Sequence, residues 1–326
     1  MKAIQMTTFG EPDVLEYKTI EDPQPSNHEV CVKLYAAGVN PNEAYVRTGT
    51  YAFLIPDLPY TPGFDGAGIV ESVGEGVTHV KVGDRVFIAA LLAKKNTGTY
   101  AEKVVCDASA VHLLPESISF EQGAALGIPA VTAYGALFQR ANIKPGETVL
   151  IHGASGGVGL LAVQMASSIG ATVIGTASSE EGKQLVLESG AKYVKDHVTE
   201  DSIEEVLKLT NGTGPDVIIE FLANVNLETD LKLIGKYGRI VIVGNRGSIE
   251  MNPRMAMAKE CDILGTAVFN MSKKQYDECL IGVSALLKSG VLNPQVGRRL
   301  PLSEAKQAHI DIMSKQAKGK IVLIPE

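Results

Sequence analysis

The chain has 326 residues, 45% of them hydrophobic and 21% charged, which suits a two-domain globular protein with real buried cores. Its 30 basic side chains against 37 acidic ones give a net charge of −7, a balance that disfavours broad binding to nucleic acid or to an anionic membrane. Four scattered cysteines with no paired spacing exclude a disulfide framework and fit reduced thiols in a cytoplasmic protein.

The start, Met1-Lys2-Ala3-Ile4-Gln5, lacks the apolar core of a secretion signal. Short strands are expected at Lys2–Thr7, Val14–Tyr17, Glu29–Ala36, Gly68–Val73 and Arg85–Ala89, where branched or alternating apolar residues run between glycines and prolines. One short helix is expected at Asn42–Arg47, so this part is β-rich. Ser119–Arg140 reads as helical, bent near Gly127 and Pro129. Strand and helix then alternate six times, with strands at Thr148–His152, Thr172–Thr176, Tyr193–Lys195, Val217–Phe221, Arg239–Val243 and Ile263–Phe269. Ser202 with Glu205 offers a capping-box start for one of the helices. Alternation of this kind predicts an α/β fold with a doubly wound parallel sheet of six strands in the order 3-2-1-4-5-6.

The tail reads as helix Lys273–Ser289, strand Gln295–Leu300, helix Ser303–Lys315 and strand Lys320–Ile324. Because a six-strand sheet is already complete, the tail is expected to rejoin the first domain. The domains are then residues 1–124 with 269–326, and residues 125–268, with the cleft between them as the default ligand site. Residues 153–179 carry no Asp, Glu, Lys or Arg and are long enough to span a bilayer, but six glycines, five serines and Gln164 divide them into turn, helix and strand.

The strand Thr148–His152 runs into Gly153-Ala154-Ser155-Gly156-Gly157-Val158-Gly159 and then the apolar helix Leu160–Ile169. Strand, glycine-rich turn and helix form the setting that a dinucleotide fingerprint requires, with the pyrophosphate on the amides at the helix start. Ala154 stands where the usual pattern has its first glycine. The same residues spell G-x-S-x-G around Ser155, a hydrolase nucleophile elbow for which Asp216 or Asp230 with His309 would supply acid and base in chain order. That alternative leaves Gly159 and the β-rich first third unexplained. The second strand of the unit ends Thr176-Ala177-Ser178-Ser179, with no carboxylate where an NAD ribose is usually held. Ser178 removes the repulsion that would reject a 2′-phosphate, and Lys183 could add a charge-assisted bond of roughly 1.5–3 kcal/mol. NADPH is therefore expected over NADH. The plainer reading is that Glu180 and Lys183 form a solvated helix start.

These residues, with Gly38-Val39-Asn40-Pro41-Asn42-Glu43, Arg47-Thr48-Gly49-Thr50-Tyr51, Pro59–Asp65, Gly83–Phe87, Gly127-Ile128-Pro129, Leu222–Leu227 and Ile249–Arg254, resemble the zinc-independent, zeta-crystallin-like quinone oxidoreductases of the medium-chain dehydrogenase/reductase superfamily. The resemblance spans nearly the whole chain. It implies a GroES-like β-rich domain, a Rossmann domain, NADPH as cofactor, reduction of quinones (preferably ortho-quinones, in some members by one-electron steps) and often a homotetramer.

By matching motif positions, it implies cofactor contacts from Tyr45, Ser155, Gly156, Gly157, Val158, His197, Asn226, Val243, Gly244, Asn245, Arg246 and the strand Thr266-Ala267-Val268. Ser178 stands where the family often has glycine, and Asn245 where serine is common. Plainer readings exist beside these: Arg246 as an exposed loop charge, His197 as a surface histidine, Asn226 as a helix cap and Tyr45 as core packing.

Zinc dehydrogenases of the same superfamily have Gly-His-Glu where this chain has Gly63-Phe64-Asp65, and Asn40 stands near the place of a first cysteine ligand. Residues 89–101 hold no cysteine for a structural-zinc lobe, so no bound metal is expected. Without one, the acceptor must already be electrophilic: a quinone, or an activated alkene in the rival reading as an enone reductase. Tyr45 and Tyr51 are the candidates for orienting it, and no residue stands out as a general acid. The resemblance also carries a lens-type structural role or binding to AU-rich RNA as alternatives from a different class. Lys94-Lys95 is the one obvious basic run nearby, more simply a solvated doublet. The sixth strand, at the sheet edge, is expected to pair with a second copy of the chain in a homodimer or homotetramer.

Overall fold

The computed structural model describes residues 1–196, 200–314 and 318–326, with residues 200–202 described by their backbone alone. The chain divides into two compact units, Met1–Pro129 with Pro294–Glu326, and Ala130–Asn293.

In the first unit β1 (Lys2–Gln5) pairs antiparallel with β2 (Glu16–Thr19), the latter displaced two residues from its expected start by a 3₁₀ turn over Pro12–Val14. β3 (Glu29–Val39) is the long central strand, followed by α1 (Pro41–Arg47), β4 (Asp65–Val73), β5 (Arg85–Ala89), β6 (Lys103–Asp107) and β7 (Val111–Leu113). β3 serves two cores. Val30, Val32 and Leu34 pack with Val70, Val86, Ile88 and Val104, whereas Ala37 and Val39 pack with Ile4, Met6 and Tyr100. Pro41 at the helix start and reciprocal capping between Asn40 and Glu43 fix where α1 begins. α2 (Phe120–Gly123) and α3 (Gly127–Tyr134) follow, bent where expected, and α3 widens into a π-helical turn over Gly135–Arg140.

The second unit runs β8 (Thr148–Ile151), α4 (Gly157–Ser168), β9 (Thr172–Thr176), α5 (Glu180–Glu188), β10 (Tyr193–Lys195), α6 (Glu200–Leu209), β11 (Val217–Glu220), α7 (Ala223–Leu233), β12 (Arg239–Ile242), α8 (Pro253–Lys259), β13 (Asp262–Gly265) and α9 (Lys273–Lys288). Its strands stand in the order β10-β9-β8-β11-β12-β13 with every pairing parallel, which is the expected doubly wound order. The chain returns across β8 to reach β11, so the topological switch point lies between those two strands. The uncharged stretch becomes a turn, the buried twelve-residue α4 and β9. Among the described residues no helix is long and apolar enough to cross a membrane.

Some boundaries differ from the sequence reading. The sixth strand stops at Gly265 because its partner β12 stops at Ile242, opposite it. Thr266-Ala267-Val268, expected as strand, is therefore a connection into a 3₁₀ turn at Val268–Asn270. α6 begins at Glu200, so Ser202 lies inside it and is not its cap. α9 falls within the second unit, where Gly282 lies so close to the Tyr134 ring that a methyl there would sit 2.2 Å from a ring carbon. The units divide at 129/130 and 293/294 where the sequence suggested 124/125 and 268/269.

β14 (Val296–Pro301), α10 (Ala305–Met313) and β15 (Lys320–Ile324) rejoin the first unit, as expected of the tail. β15 pairs with β3, completing a sheet of order β14-β15-β3-β4-β5-β7, with β6 paired to β3.

Candidate functional site

The carboxyl ends of the parallel strands in the second unit carry loops that are bonded to one another. After β8, Gly153 turns the chain with a φ of +53°, a conformation that favours glycine. Its amide donates to Thr176 Oγ1 at 3.0 Å and that of Ala154 to Thr176 O at 2.9 Å, so the turn hangs on the end of β9. Gly159 is forced by contact: a methyl there would lie 2.7 Å from Ala154 Cα and from the Gly153 and Ala154 carbonyls. α4 starts at a bare Gly156 cap with no side-chain bond and no acidic residue in its first turn. The amides of Gly157, Val158 and Gly159 thus have no intrahelical acceptor. Ser155, Gly156, Gly157 and Val158 lie at a helix start with free amides and the positive end of the helix dipole behind them, a cradle whose geometry could hold a diphosphate.

Beside the cradle, Ser178 is exposed and α5 begins under a Ser179 cap that accepts from the Gly182 amide at 3.1 Å. No carboxylate occupies the residue where an NAD ribose is usually held. Lys183 is nearby on α5 but is engaged, bonding Glu180 at 2.8 Å and Asp196 at 2.9 Å. Those carboxylates are 91% and 65% exposed, and pairs so open to water hold weakly. His197 lies outside the described residues.

Asn226, half-buried on α7, donates from Nδ2 to Glu220 Oε1 at 3.2 Å. Val243 and Gly244 donate their amides to Glu220 O at 2.8 and 3.3 Å, which ties the loop after β12 to the end of β11. Asn245 Nδ2 bonds Gly247 O at 2.7 Å, and the Arg246 amide bonds Asn224 Oδ1 at 2.9 Å, holding the exposed Arg246 in a shaped loop. The Thr266 amide reaches Ile242 O at 3.0 Å, placing Thr266-Ala267-Val268 at the same sheet edge.

Sequence reasoning missed the polar cluster beneath this edge. His152, directly before the glycine turn, is 3% exposed and donates from Nε2 to Asp230 Oδ1 at 2.8 Å, with Glu220 Oε2 at 3.6 Å. Burial opposes charge on His152, yet the hydrogen bond and charge of Asp230 outweigh it and raise its pKa. Glu220 is pushed up to about 7, chiefly by burial and, against the pull of His152, by Asp230. The available signal was a polar residue closing an apolar strand, His152 after Val149-Leu150-Ile151 and Glu220 after Val217-Ile218-Ile219.

In the first unit Tyr45 stacks on Tyr51, centroids 5.9 Å apart, and Tyr51 meets Phe53 edge-on at 5.4 Å. Phe53 and Ile55 beside them are exposed, 45% and 63%. Nearby, the positions that correspond to a superfamily zinc site hold a different chemistry. Lys320 Nζ donates to Asn40 Oδ1 at 2.5 Å and to Asp65 Oδ2 at 3.0 Å, while Asn40 Nδ2 reaches the same Asp65 oxygen at 2.8 Å. An ammonium already compensates the carboxylate, and among the described residues no thiolate or imidazole bonds Asp65 or Asn40. This donor set does not fit a tetrahedral zinc ion. Glu43 accepts from the Asn40 amide at 2.8 Å and from Tyr100 OH at 2.6 Å; complete burial raises its pKa to about 7. His309, 3.2 Å from Tyr100 OH, is pushed down to about 3 by burial and is neutral.

Comparison with known proteins agrees with this architecture. Residues 26–116 match the alcohol dehydrogenase GroES-like domain and residues 157–284 the zinc-binding dehydrogenase family. The chain is 47% identical to a quinone oxidoreductase of Rattus norvegicus, over 99% of this chain and 98% of that protein. It superposes with a TM-score of 0.87 on an Escherichia coli quinone oxidoreductase complexed with NADPH, at 32% identity and covering 100% of both chains. An NAD-dependent alcohol dehydrogenase gives a TM-score of 0.92 at 30% identity, covering 99% of each chain.

Two outcomes follow for the buried charges. Lys320→Met strands Asp65 in the core and lowers stability by roughly 3–5 kcal/mol in denaturant unfolding, whereas adding Asp65→Asn restores part of the loss; equal stability of the single and double variants would contradict the pairing. Glu43 and Glu220 have folded pKa values near 7 against 4.5 for an ordinary glutamate, so the stability tied to their protonated forms is complete below pH 4.5 and lost as pH rises through 7. Thermal unfolding between those limits should decline with pH in the native chain and decline less in Glu43→Gln or Glu220→Gln.

Proposed function

This chain belongs to the quinone oxidoreductase family of the medium-chain dehydrogenase/reductase superfamily, and on that premise we propose that it is an NADPH-dependent quinone oxidoreductase that works without zinc. The observation that carries the cofactor assignment is the glycine turn after β8, joined to a second strand whose end offers Ser178 and no carboxylate. Ser155–Val158 bind the diphosphate; Ser178 and Lys183 meet the 2′-phosphate; Asn226, Val243–Arg246 and Thr266–Val268 line the remainder. When bound, NADPH supplies the hydride, and a quinone with one proton from solvent leaves as hydroquinone.

The protein's part is positioning more than acid–base chemistry. Tyr45 and Tyr51 present aromatic faces that suit a flat acceptor, and an ortho-quinone fits them as a fused aromatic plate. The Lys320–Asp65–Asn40 network supports zinc independence, because the ammonium takes the charge-compensating role of the metal. β13 at the sheet edge supports self-association as a dimer or tetramer, and four free cysteines suit the cytoplasm.

The test is oxidation of NADPH by phenanthrenequinone with EDTA present and NADH in parallel. Turnover with NADPH that EDTA leaves intact is expected; turnover lost to EDTA, or equal rates with NADH, would refute the zinc or the cofactor assignment respectively. Ser178→Asp should raise the Kd for NADPH at least tenfold and leave that for NADH within threefold; parallel changes would remove Ser178 from the 2′-phosphate site.

A further inference from the structure

The cluster under the switch point brings together the ends of two neighbouring strands and a helix. His152 follows β8, Glu220 ends β11 and Asp230 lies on α7; all three are buried, and their donor atoms lie within 4.8 Å of one another. The composition could serve a metal, but the spacing does not. Two ligands of a tetrahedral zinc-sized ion at about 2.1 Å stand roughly 3.4 Å apart. His152 and Asp230 are 2.8 Å apart, the length of a hydrogen bond.

Glu220 divides its work between its two oxygens. Oε1 accepts the Leu222 amide and Asn226 Nδ2. Oε2 lies 3.6 Å from His152 Nε2, and among the described residues neither it nor Asp230 Oδ2 has a hydrogen-bond partner. Buried carboxylate oxygens are not left so without cost, and the raised pKa of the buried Glu220 leaves it a proton that Oε2 can carry. The side of Glu220 facing the core is thereby fixed, and with it the side facing the loops. Its backbone carbonyl at the same time anchors Val243 and Gly244.

We propose that His152, Asp230 and Glu220 are positioning residues for the cofactor: His152 and Asp230 hold the Glu220 carboxyl, and Glu220 Oε1 holds the Asn226 amide and the β11–α7 turn in binding geometry. This rests on the reading of Asn226 as a cofactor contact. An amide on the first turns of α7 that must be ordered on binding loses rotamer freedom at that moment; one already fixed by Glu220 does not. β12, on the other side of β11, adds no competing charge at this end. Its Arg239 is at the opposite end of the strand, bonded to Glu147.

The experiment is a double-mutant cycle read by NADPH titration and by steady-state kinetics with phenanthrenequinone. Asn226→Ala is expected to raise the Kd for NADPH about tenfold. Glu220→Met, which keeps the volume and removes the acceptor, should do the same, with kcat within threefold of the native value. The double variant should be no weaker than Asn226→Ala alone, and Glu220→Gln, which keeps an acceptor at Oε1 and a donor toward Asp230, should stay within twofold of native. An additive loss near a hundredfold, or an unchanged Kd in Glu220→Met, overturns the positioning role. An unchanged Kd in Asn226→Ala overturns the assignment of Asn226, and the proposal with it, even if quinone turnover proceeds. If Glu220→Met does not fold, Asn226→Asp alone and with Glu220→Gln decides. The facing carboxylate should weaken binding, and a glutamine amide turned to donate should restore it at least threefold; no restoration overturns the proposal.

Discussion

Asp65 is the constraint on which the first unit depends. Oδ2 accepts from Lys320 at 3.0 Å and Asn40 at 2.8 Å, and Oδ1 caps the Ile128 amide at 2.8 Å. One side chain at the start of β4 thus ties together the turn after β3, the first residue of β15 and the start of α3. A carboxylate with no solvent exposure is tolerable only because a full positive charge and two further donors meet it. The returning tail is therefore more than an added strand: Lys320 brings the charge that lets Asp65 be buried at all. The same network settles α1, since Asn40 is its cap and Glu43, three residues on, reaches back to the Asn40 amide. Tyr45 rides on that helix, so its stacking on Tyr51 is set indirectly by a buried ion pair.

The second unit solves a different problem. A parallel sheet buried on both faces needs apolar strands, but its carboxyl edge must carry polar groups that bind a charged ligand. The chain places that change at the carboxyl ends of β8, β9 and β11. Ile151 is followed by His152, Thr176 ends β9 and Glu220 ends β11. The Thr176 and Glu220 side chains accept from the loops after β8 and β11, and His152 bonds Asp230 on α7. The loops are held by these strand ends as well as by bonds of their own, such as Asn245 to Gly247.

That division explains what the sequence made legible. The strand order and the glycine turn were readable because both rest on local periodicity and on residues within about 30 positions of one another. β6 (Lys103–Asp107) and β7 (Val111–Leu113) were not, and each is defined by its pairing with a distant strand, β6 with β3 and β7 with β5. The end of β13 depends on where β12 stops, which no local pattern records. The buried pairs were hidden for a related reason: Lys320 lies 255 residues from Asp65, and His152 lies 78 from Asp230. A single sequence shows such residues only as isolated polar interruptions, and their partners emerge when the sheets are assembled.

Lys183 shows how a sequence presents a residue without its surroundings. As a bare cation beside Ser178 it is an obvious partner for a 2′-phosphate, and the structure shows it already between Glu180 and Asp196. The decision rests on exposure. Both carboxylates are largely in water, where a pair contributes about 0–1 kcal/mol. On the proposed cofactor reading, a 2′-phosphate carrying nearly two charges and held by the rest of a bound dinucleotide would compete without the entropic cost of being recruited from solution. On the same reading the carboxylates set a limit, because a ligand lacking the 2′-phosphate would find Lys183 satisfied and gain little from it. Discrimination between the two dinucleotides would then come from a cation weakly occupied in the free protein, with an exposed serine where a carboxylate would reverse the preference.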